Sequence, residues 1–145
     1  MKNTKILLFL MLLGVVFSAG KCKKKDKDDA PAGVKGDWKI TSITNGTGQT
    51  PASLTAVVNG TATFGDTNYD FKNNSGTSVE AGSYTYDATA NTLSVTPSGT
   101  SVFTNAATAY TFKSTLSTTT LQLVVNIAAA GKPENNLTIS LTKQQ

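Results

Sequence analysis

The sequence predicts an all-β protein built around one antiparallel sheet. Beyond residue 30, apolar and polar residues alternate with a period of two, as in Leu121, Leu123 and Val125, which is typical of strands with one buried face. The same part of the chain holds 23 threonines, and threonine is favoured on an exposed pleat but loses side-chain freedom in a helix. Clusters such as Asn-Gly and Pro-Ser-Gly interrupt the alternation, so the strands are expected to be short.

Strands are predicted between these turn clusters, at 37–44, 55–58, 61–64, 69–73, 80–87, 92–96, 109–114, 119–127 and 136–143. Several are marked by two aromatic residues that alternate with polar ones, namely Tyr69 and Phe71, Tyr84 and Tyr86, and Tyr110 and Phe112. Eight or nine short strands with short connections describe a meander. Its apolar face must be hidden either by rolling the sheet up or by packing it on a second sheet.

The charge of the chain is concentrated near its N-terminus. Residues 1–21 carry three lysines and no acid, and residues 22–29 carry four lysines and three aspartates. Six lysines and six acids balance over the remainder, and the chain has no arginine. A neutral domain without arginine offers no phosphate-binding surface, so no nucleic-acid partner is expected.

The first residues have the pattern of an export signal. A basic start with Lys2 and Lys5 precedes the apolar run Ile6–Phe17, and the small residues Ser18, Ala19 and Gly20 follow. This pattern is typical of a secretory signal peptide, here assigned to residues 1–21. Twelve apolar residues are too few to cross a hydrocarbon core of about 30 Å.

The only cysteine, Cys22, directly follows this signal and precedes a run of alternating Lys and Asp. The arrangement resembles a bacterial lipoprotein precursor of the Bacteroidetes type, which implies cleavage before Cys22 and attachment of lipid to it. The protein is then expected to be anchored to the outer membrane, on its periplasmic or surface face, with residues 22–33 as a flexible tether. Because Lys21 stands where a small residue is usual, cleavage after Gly20 is the alternative, and it would leave Cys22 as a free thiol.

A second resemblance covers residues 34–145 and concerns the folded domain. Gly36-Asp37-Trp38 opens the first strand, and an Asn-Gly turn, an Ala-Thr-Phe strand ending in Gly-Asp, and Gly82-Ser-Tyr-Thr-Tyr-Asp87 follow in order. The series is similar to the lipocalin-like domains of Bacteroidetes-type lipoproteins. That resemblance implies a single up-and-down β-barrel of about eight strands in which Trp38 fills one end beneath a late arginine. This chain has no arginine, and Lys143 is the nearest substitute.

Little in the composition supports catalysis. The chain lacks histidine and has one cysteine, which excludes Ser-His-Asp and Cys-His catalysis, His-ligated zinc and an intramolecular disulfide. We therefore expect a non-enzymatic protein with no catalytic residues, no metal site and no cofactor. The acids of the domain lie near turns and strand ends and are interpreted as turn caps and solubilising charges; they are Asp37, Asp66, Asp70, Glu80, Asp87 and Glu134.

The aromatic residues of the domain carry the functional hypotheses. They either fill a small barrel or line a cavity in it, and the candidates for contact with a ligand are Trp38, Tyr84, Tyr110 and Phe112. The leading hypothesis is that a small apolar or amphipathic ligand binds in the barrel or at its mouth. The alternative is a structural or interaction module with a solid core, which contacts another envelope protein through its Thr-rich outer face or a sheet edge.

Overall fold

A computed structural model describes residues 33–127 and 136–145 and shows a closed barrel of eight antiparallel strands. The strands follow one another around the barrel in chain order, so the sheet hides its apolar face by rolling up. Their bounds are β1 Gly36–Asn45, β2 Thr61–Phe64, β3 Asn68–Lys72, β4 Ser78–Asp87, β5 Thr92–Pro97, β6 Tyr110–Leu116, β7 Thr120–Asn126 and β8 Asn136–Lys143. Among the described residues, no helix is long and apolar enough to cross a bilayer.

The barrel closes because β1 pairs with both β2 and β8. Trp38 lies opposite Ala62 on one side and opposite Lys143 on the other. The pairing with β8 shifts register between Ile40 and Ser42, so Thr41 forms a bulge. Trp38 and Ile40 are buried two residues apart, but because of the bulge the next buried residue is Ile43, three residues further on.

One predicted strand is wrong. Residues 55–58 form turns that follow a short 3-10 helix, Ala52–Leu54, rather than a ninth strand. The N–H of Val57 donates to the carbonyl of Leu54 at 2.9 Å, and both side chains are buried. Apolar residues three apart match a helical turn instead of the period of two of a strand. The segment therefore packs the side chains of Leu54 and Val57 against the core.

The barrel has two ends of different character. The loop end comprises 46–60, 73–77 and 98–109, which join β1 to β2, β3 to β4 and β5 to β6. The tryptophan end comprises the short connections 65–67, 88–91 and 117–119 together with residues 33–35. The longest described connections therefore meet at one end of the barrel.

Trp38 fills the tryptophan end. It is 1% exposed, and its Nε1 donates a hydrogen bond of 2.7 Å to the carbonyl of Val34. Lys143 Nζ lies 5.7 Å from the centroid of the Trp38 ring, within the range of a cation–π interaction. A cation therefore lies over the Trp38 ring, and it is supplied by Lys143.

Gly82 lies where β4 leaves β3 and begins to pair with β5. It is opposite Tyr69 on one side and Pro97 on the other, and a Cβ at this position would come within 2.1 Å of the Thr96 carbonyl oxygen. No side chain fits there unless the backbone moves. Glycine is required at this position for the close approach of the two strands.

We expect Gly82→Ala to lower the free energy of unfolding by about 1–3 kcal/mol, because the added methyl group forces β4 and β5 apart. Urea unfolding followed by circular dichroism measures the loss. Gly99→Ala is the control, since a Cβ at Gly99 meets no atom within 4 Å. Equal losses in the two variants would contradict the steric explanation.

Candidate functional site

The barrel buries one carboxyl group at the loop end. Glu80 is 5% exposed and belongs to β4, where its position is in phase with the inward-facing Tyr84. The register between β3 and β4 shifts just before it, between the pairs Phe71–Glu80 and Lys72–Ser78, so Val79 forms a bulge. Bulges often re-aim a side chain next to a functional site.

Four donors surround the carboxyl group of Glu80. Tyr69 Oη donates to Oε1 at 2.9 Å, and Tyr110 Oη donates to the same oxygen. Oε2 accepts from Ser101 Oγ at 2.6 Å and from the backbone N–H of Val102 at 2.9 Å. All four groups donate, so the carboxyl group acts as an acceptor on both oxygens, as a carboxylate does.

The charge of Glu80 has no positive partner among the residues that the structure describes. The ion pairs in this part of the chain are Lys35–Asp66 and Lys72–Asp70, and neither involves Glu80. Burying an anion without a cation is costly even when it is hydrogen-bonded. A barrel selected for stability alone would place apolar side chains both here and at the hydroxyl donors that surround it.

The tyrosines of this cluster are held in the protonated form. Burial raises the pKa of Tyr69 far above its ordinary value, and the charge of Glu80 and the hydrogen bond to it add to the effect. Burial likewise raises the pKa of Tyr110, reinforced by its hydrogen bond to Glu80. Both phenols therefore remain donors throughout the physiological pH range.

These shifts predict a loss of stability in alkali. An ordinary tyrosine ionises near pH 10, so above that pH the unfolded chain releases phenolic protons that the folded barrel retains. The free energy of unfolding is then expected to be constant up to about pH 10 and to fall as the pH rises further. Tyr110→Phe should make this fall shallower by about 1 kcal/mol per pH unit. Urea titrations between pH 8 and about pH 12 measure the slopes, and identical slopes would contradict the prediction.

The β5–β6 loop, residues 98–109, folds back into the mouth of the barrel. Ser101 Oγ accepts hydrogen bonds from the N–H groups of Phe103 and Thr104, each at 3.1 Å, while it donates to Glu80. The ring of Phe103 makes edge contacts with Phe71 and Phe112, with centroids 4.8 and 6.3 Å apart. Phe103 thereby completes the aromatic core at the loop end of the barrel.

The four predicted ligand contacts do not form one site. Phe112 is buried in the core beside Phe103, and Trp38 fills the opposite end. Tyr84 is partly buried, with its hydroxyl donating to the Gly65 carbonyl at 2.6 Å. Of the four, Tyr110 and Phe112 border the cluster around Glu80.

A separate groove crosses the outer face of β4, β5 and β6. It has a volume of about 460 Å³, and Tyr84, Val95 and Tyr110 contribute to its lining. Its walls are small side chains that point outward, of which Ser94 and Thr111 share a hydrogen bond of 3.0 Å. We call this the hydroxyl groove, formed by Thr67, Ser83, Thr85, Ser94, Thr96, Ala109 and Thr111.

Glu80 and the β5–β6 loop are the features that the sequence analysis missed. Asp87 caps a turn as predicted, accepting from the N–H groups of Thr89 and Ala90 at 2.8 and 2.9 Å, but Glu80 is not a solubilising surface charge. A signal for its burial exists in the sequence, because Glu80 is an even number of residues from Tyr84 and therefore on the same strand face. No comparable signal marks Ser101.

Several predictions fall outside the residues that the structure describes. They are the signal peptide 1–21, nearly all of the tether 22–33 with the lipid attachment at Cys22, and the surface role of Glu134. Within the described residues, no group of three or more His, Cys, Asp or Glu side chains is placed to hold a metal ion.

Comparison with known proteins gives no assignment to a family. No protein-family model matches the chain, and no curated protein matches it significantly. The functional argument therefore depends on the barrel and its sites.

Proposed function

We propose that the protein is a lipid-anchored protein of a bacterial envelope that binds a small amphipathic ligand at the loop end of its lipocalin-like barrel. The ligand site is the cluster around Glu80, bordered by Tyr69, Tyr110 and the aromatic core. Glu80 provides the polar contact, and the rings of Phe71 and Phe112 provide the apolar one. Nothing in the cluster indicates chemistry on the ligand, so the proposed activity is binding alone.

The buried carboxylate is the observation that carries this proposal. It lowers the stability that the barrel could otherwise have, and it lies at the end where the long loops meet. Aromatic residues lie next to it, since Tyr69 and Tyr110 bind it and Phe71 is its partner on β3. Ligand pockets typically combine an apolar lining with a few polar groups that orient the ligand. The same combination of a polar group and aromatic rings is found here at the loop end of the barrel.

The test is native mass spectrometry of the full chain, purified in detergent and incubated with a lipid and metabolite extract of bacterial envelopes. We expect an adduct that survives washing and that falls at least tenfold in Glu80→Gln, which keeps the shape but removes the charge. Asp87→Asn, at an exposed turn, should retain the adduct. Absence of an adduct, or an adduct equally abundant in Glu80→Gln, would overturn the proposal.

The anchor is tested separately. Expression in a bacterium fed with an alkyne analogue of palmitate should label the full chain, and Cys22→Ala should abolish the label. An unlabelled chain that begins after Gly20 would instead support cleavage by the ordinary signal peptidase and would refute lipid attachment.

The hydroxyl groove favours a second candidate function, that of an interaction module. Six hydroxyl-bearing side chains lie along an exposed face in a groove of about 460 Å³, and they could recognise a polar partner. Each described strand pairs on both sides, so the sheet edge considered in the sequence analysis is not accessible. If such a polar partner binds the wild-type protein and Glu80→Gln but not Thr96→Lys, this function is favoured over ligand binding at the loop end.

A further inference from the structure

The two oxygens of Glu80 are held by different parts of the molecule. Oε1 accepts from Tyr69 and Tyr110, which belong to strands of the barrel. Oε2 accepts from Ser101 and Val102, which belong to the β5–β6 loop. If the loop moved away, Oε1 would keep both of its donors and Oε2 would lose both.

The same movement would open an apolar slot. The ring of Phe103 lies 4.8 Å from that of Phe71 and 6.3 Å from that of Phe112, centroid to centroid, and its side chain is 4% exposed. Withdrawing this ring would leave Phe71 and Phe112 facing an empty space, and the same movement takes Ser101 and Val102 away from Glu80 Oε2. The segment Ser101–Phe103, which we call the plug segment, thus presents two hydrogen-bond donors and one aromatic ring to the interior of the barrel.

Few polar contacts fasten the loop to the rest of the described barrel. Ser98, where the loop begins, is joined to β4, because its N–H and its Oγ both donate to the Ala81 carbonyl at 2.8 Å. Between Gly99 and Ala109, the hydrogen bonds to strand residues of the described barrel are made to Glu80 and Tyr110. The other backbone bonds of this stretch are internal, such as Ser101 N–H to the Ala106 carbonyl at 2.8 Å. In addition, Thr104 Oγ1 is buried without a hydrogen-bond partner. A buried hydroxyl without a partner destabilises the closed loop, so opening the loop would relieve that cost.

We propose that the plug segment occupies the ligand site of the barrel and is displaced by a small amphiphile that carries a protonated amine and an apolar ring. The amine would donate to Glu80 Oε2 in place of Ser101 and Val102, and the ring would take the place of Phe103. The amine would also provide the positive charge that this anion lacks among the described residues, whereas an acidic amphiphile would meet like charge. This inference rests on the proposed function, because it names the ligand class of the same site.

The probe is 2-phenylethylamine, compared with 2-phenylethanol and 3-phenylpropanoate, which carry the same ring on a neutral and an acidic chain. We expect the wild-type full chain to bind the amine at least tenfold more tightly than either of the others. Amide hydrogen exchange, followed by nuclear magnetic resonance, reports on displacement. At saturation, the Val102 N–H should exchange at least tenfold faster than in the free protein, while the Leu123 N–H in β7 should not exchange faster.

Variants test the roles of Phe103 and Glu80. Phe103→Ala removes the ring that competes with the ligand and should tighten amine binding about tenfold, whereas Thr108→Ala, at an exposed position of the same loop, should not change it. Glu80→Gln should remove the preference for the amine. An engineered void can bind an aromatic ring by itself, so the exchange of Val102 in the wild-type protein decides the result.

Two results would overturn this inference: a Val102 N–H that stays protected in the amine complex, and acid binding as tight as amine binding. If either is found while envelope extract still yields an adduct that depends on Glu80, the proposed binding function stands and its ligand belongs to another chemical class. If the extract also gives no such adduct, the proposed function fails together with the plug.

Discussion

Replacing Glu80 with leucine is expected to lower the free energy of unfolding by about 3–5 kcal/mol. Leucine fills a similar volume but accepts no hydrogen bond, so the hydroxyls of Tyr69, Tyr110 and Ser101 and the N–H of Val102 would be left without their acceptor. Each buried donor without a partner costs about 1–3 kcal/mol, and relaxation of the β5–β6 loop recovers part of the sum. Urea unfolding at neutral pH measures the change.

Two comparisons separate the polar contribution from packing. Glu80→Gln keeps the shape and one acceptor oxygen, and should cost less than half as much as Glu80→Leu. Adding Tyr69→Phe, Tyr110→Phe and Ser101→Ala to Glu80→Leu removes the three hydroxyl donors as well. This should recover at least half of the lost stability, because apolar replacement of a buried polar cluster is close to neutral and only the Val102 N–H is left without its acceptor. If Glu80→Leu alone is as stable as the wild type, the cluster does not hold the loop.

Trp38→Ala is expected to cost a similar amount, about 3–5 kcal/mol, but at the other end of the barrel. The indole is almost completely buried, and its loss leaves a cavity between β1, β2 and β8 that the closed sheet cannot collapse to fill. It also leaves the Val34 carbonyl without its donor. Thermal unfolding of the full chain gives the size of the effect.

Two milder substitutions separate the contributions of the Trp38 N–H and of the cation over the Trp38 ring. Trp38→Phe retains much of the apolar volume but lacks the indole N–H, so an intermediate loss is expected. Lys143→Met removes the cation over the ring while keeping an unbranched apolar stem, and should cost about 0.5–1 kcal/mol. A loss in Lys143→Met as large as that in Trp38→Ala would mean that Lys143 stabilises the barrel by some contact other than the one with Trp38.

Much of the barrel could be predicted because its strands follow simple rules. The pairs Tyr69 and Phe71, and Tyr110 and Phe112, alternate with polar residues, and in each pair both rings face inward. All eight strands lie within two residues of their predicted bounds at each end. Closure into a barrel was expected from the resemblance around Trp38 rather than from the alternation itself.

The site could not be predicted in the same way, because it depends on contacts between distant segments. Glu80 and Ser101 are 21 residues apart, and a sequence pattern does not show that an irregular loop returns to a strand. Val102 and Phe103 stand among turn-forming residues without any periodicity, so their insertion leaves no local signal. The turns at 55–58 were mistaken for a strand because Val57 and Val58 favour strands by composition.

The pairing of β8 with both of its neighbours has a consequence for the order of folding. Thr41 and Ser140, which are joined by a hydrogen bond of 2.9 Å, are 99 residues apart in the chain, so β1 must wait for the last strand before its second edge is covered. Pairings between such distant segments carry a large entropic cost and slow the search for the native state. We therefore expect a late step in which β8 is inserted between β1 and β7. Until that step is complete, both of those strands present an open edge on which other chains can pair.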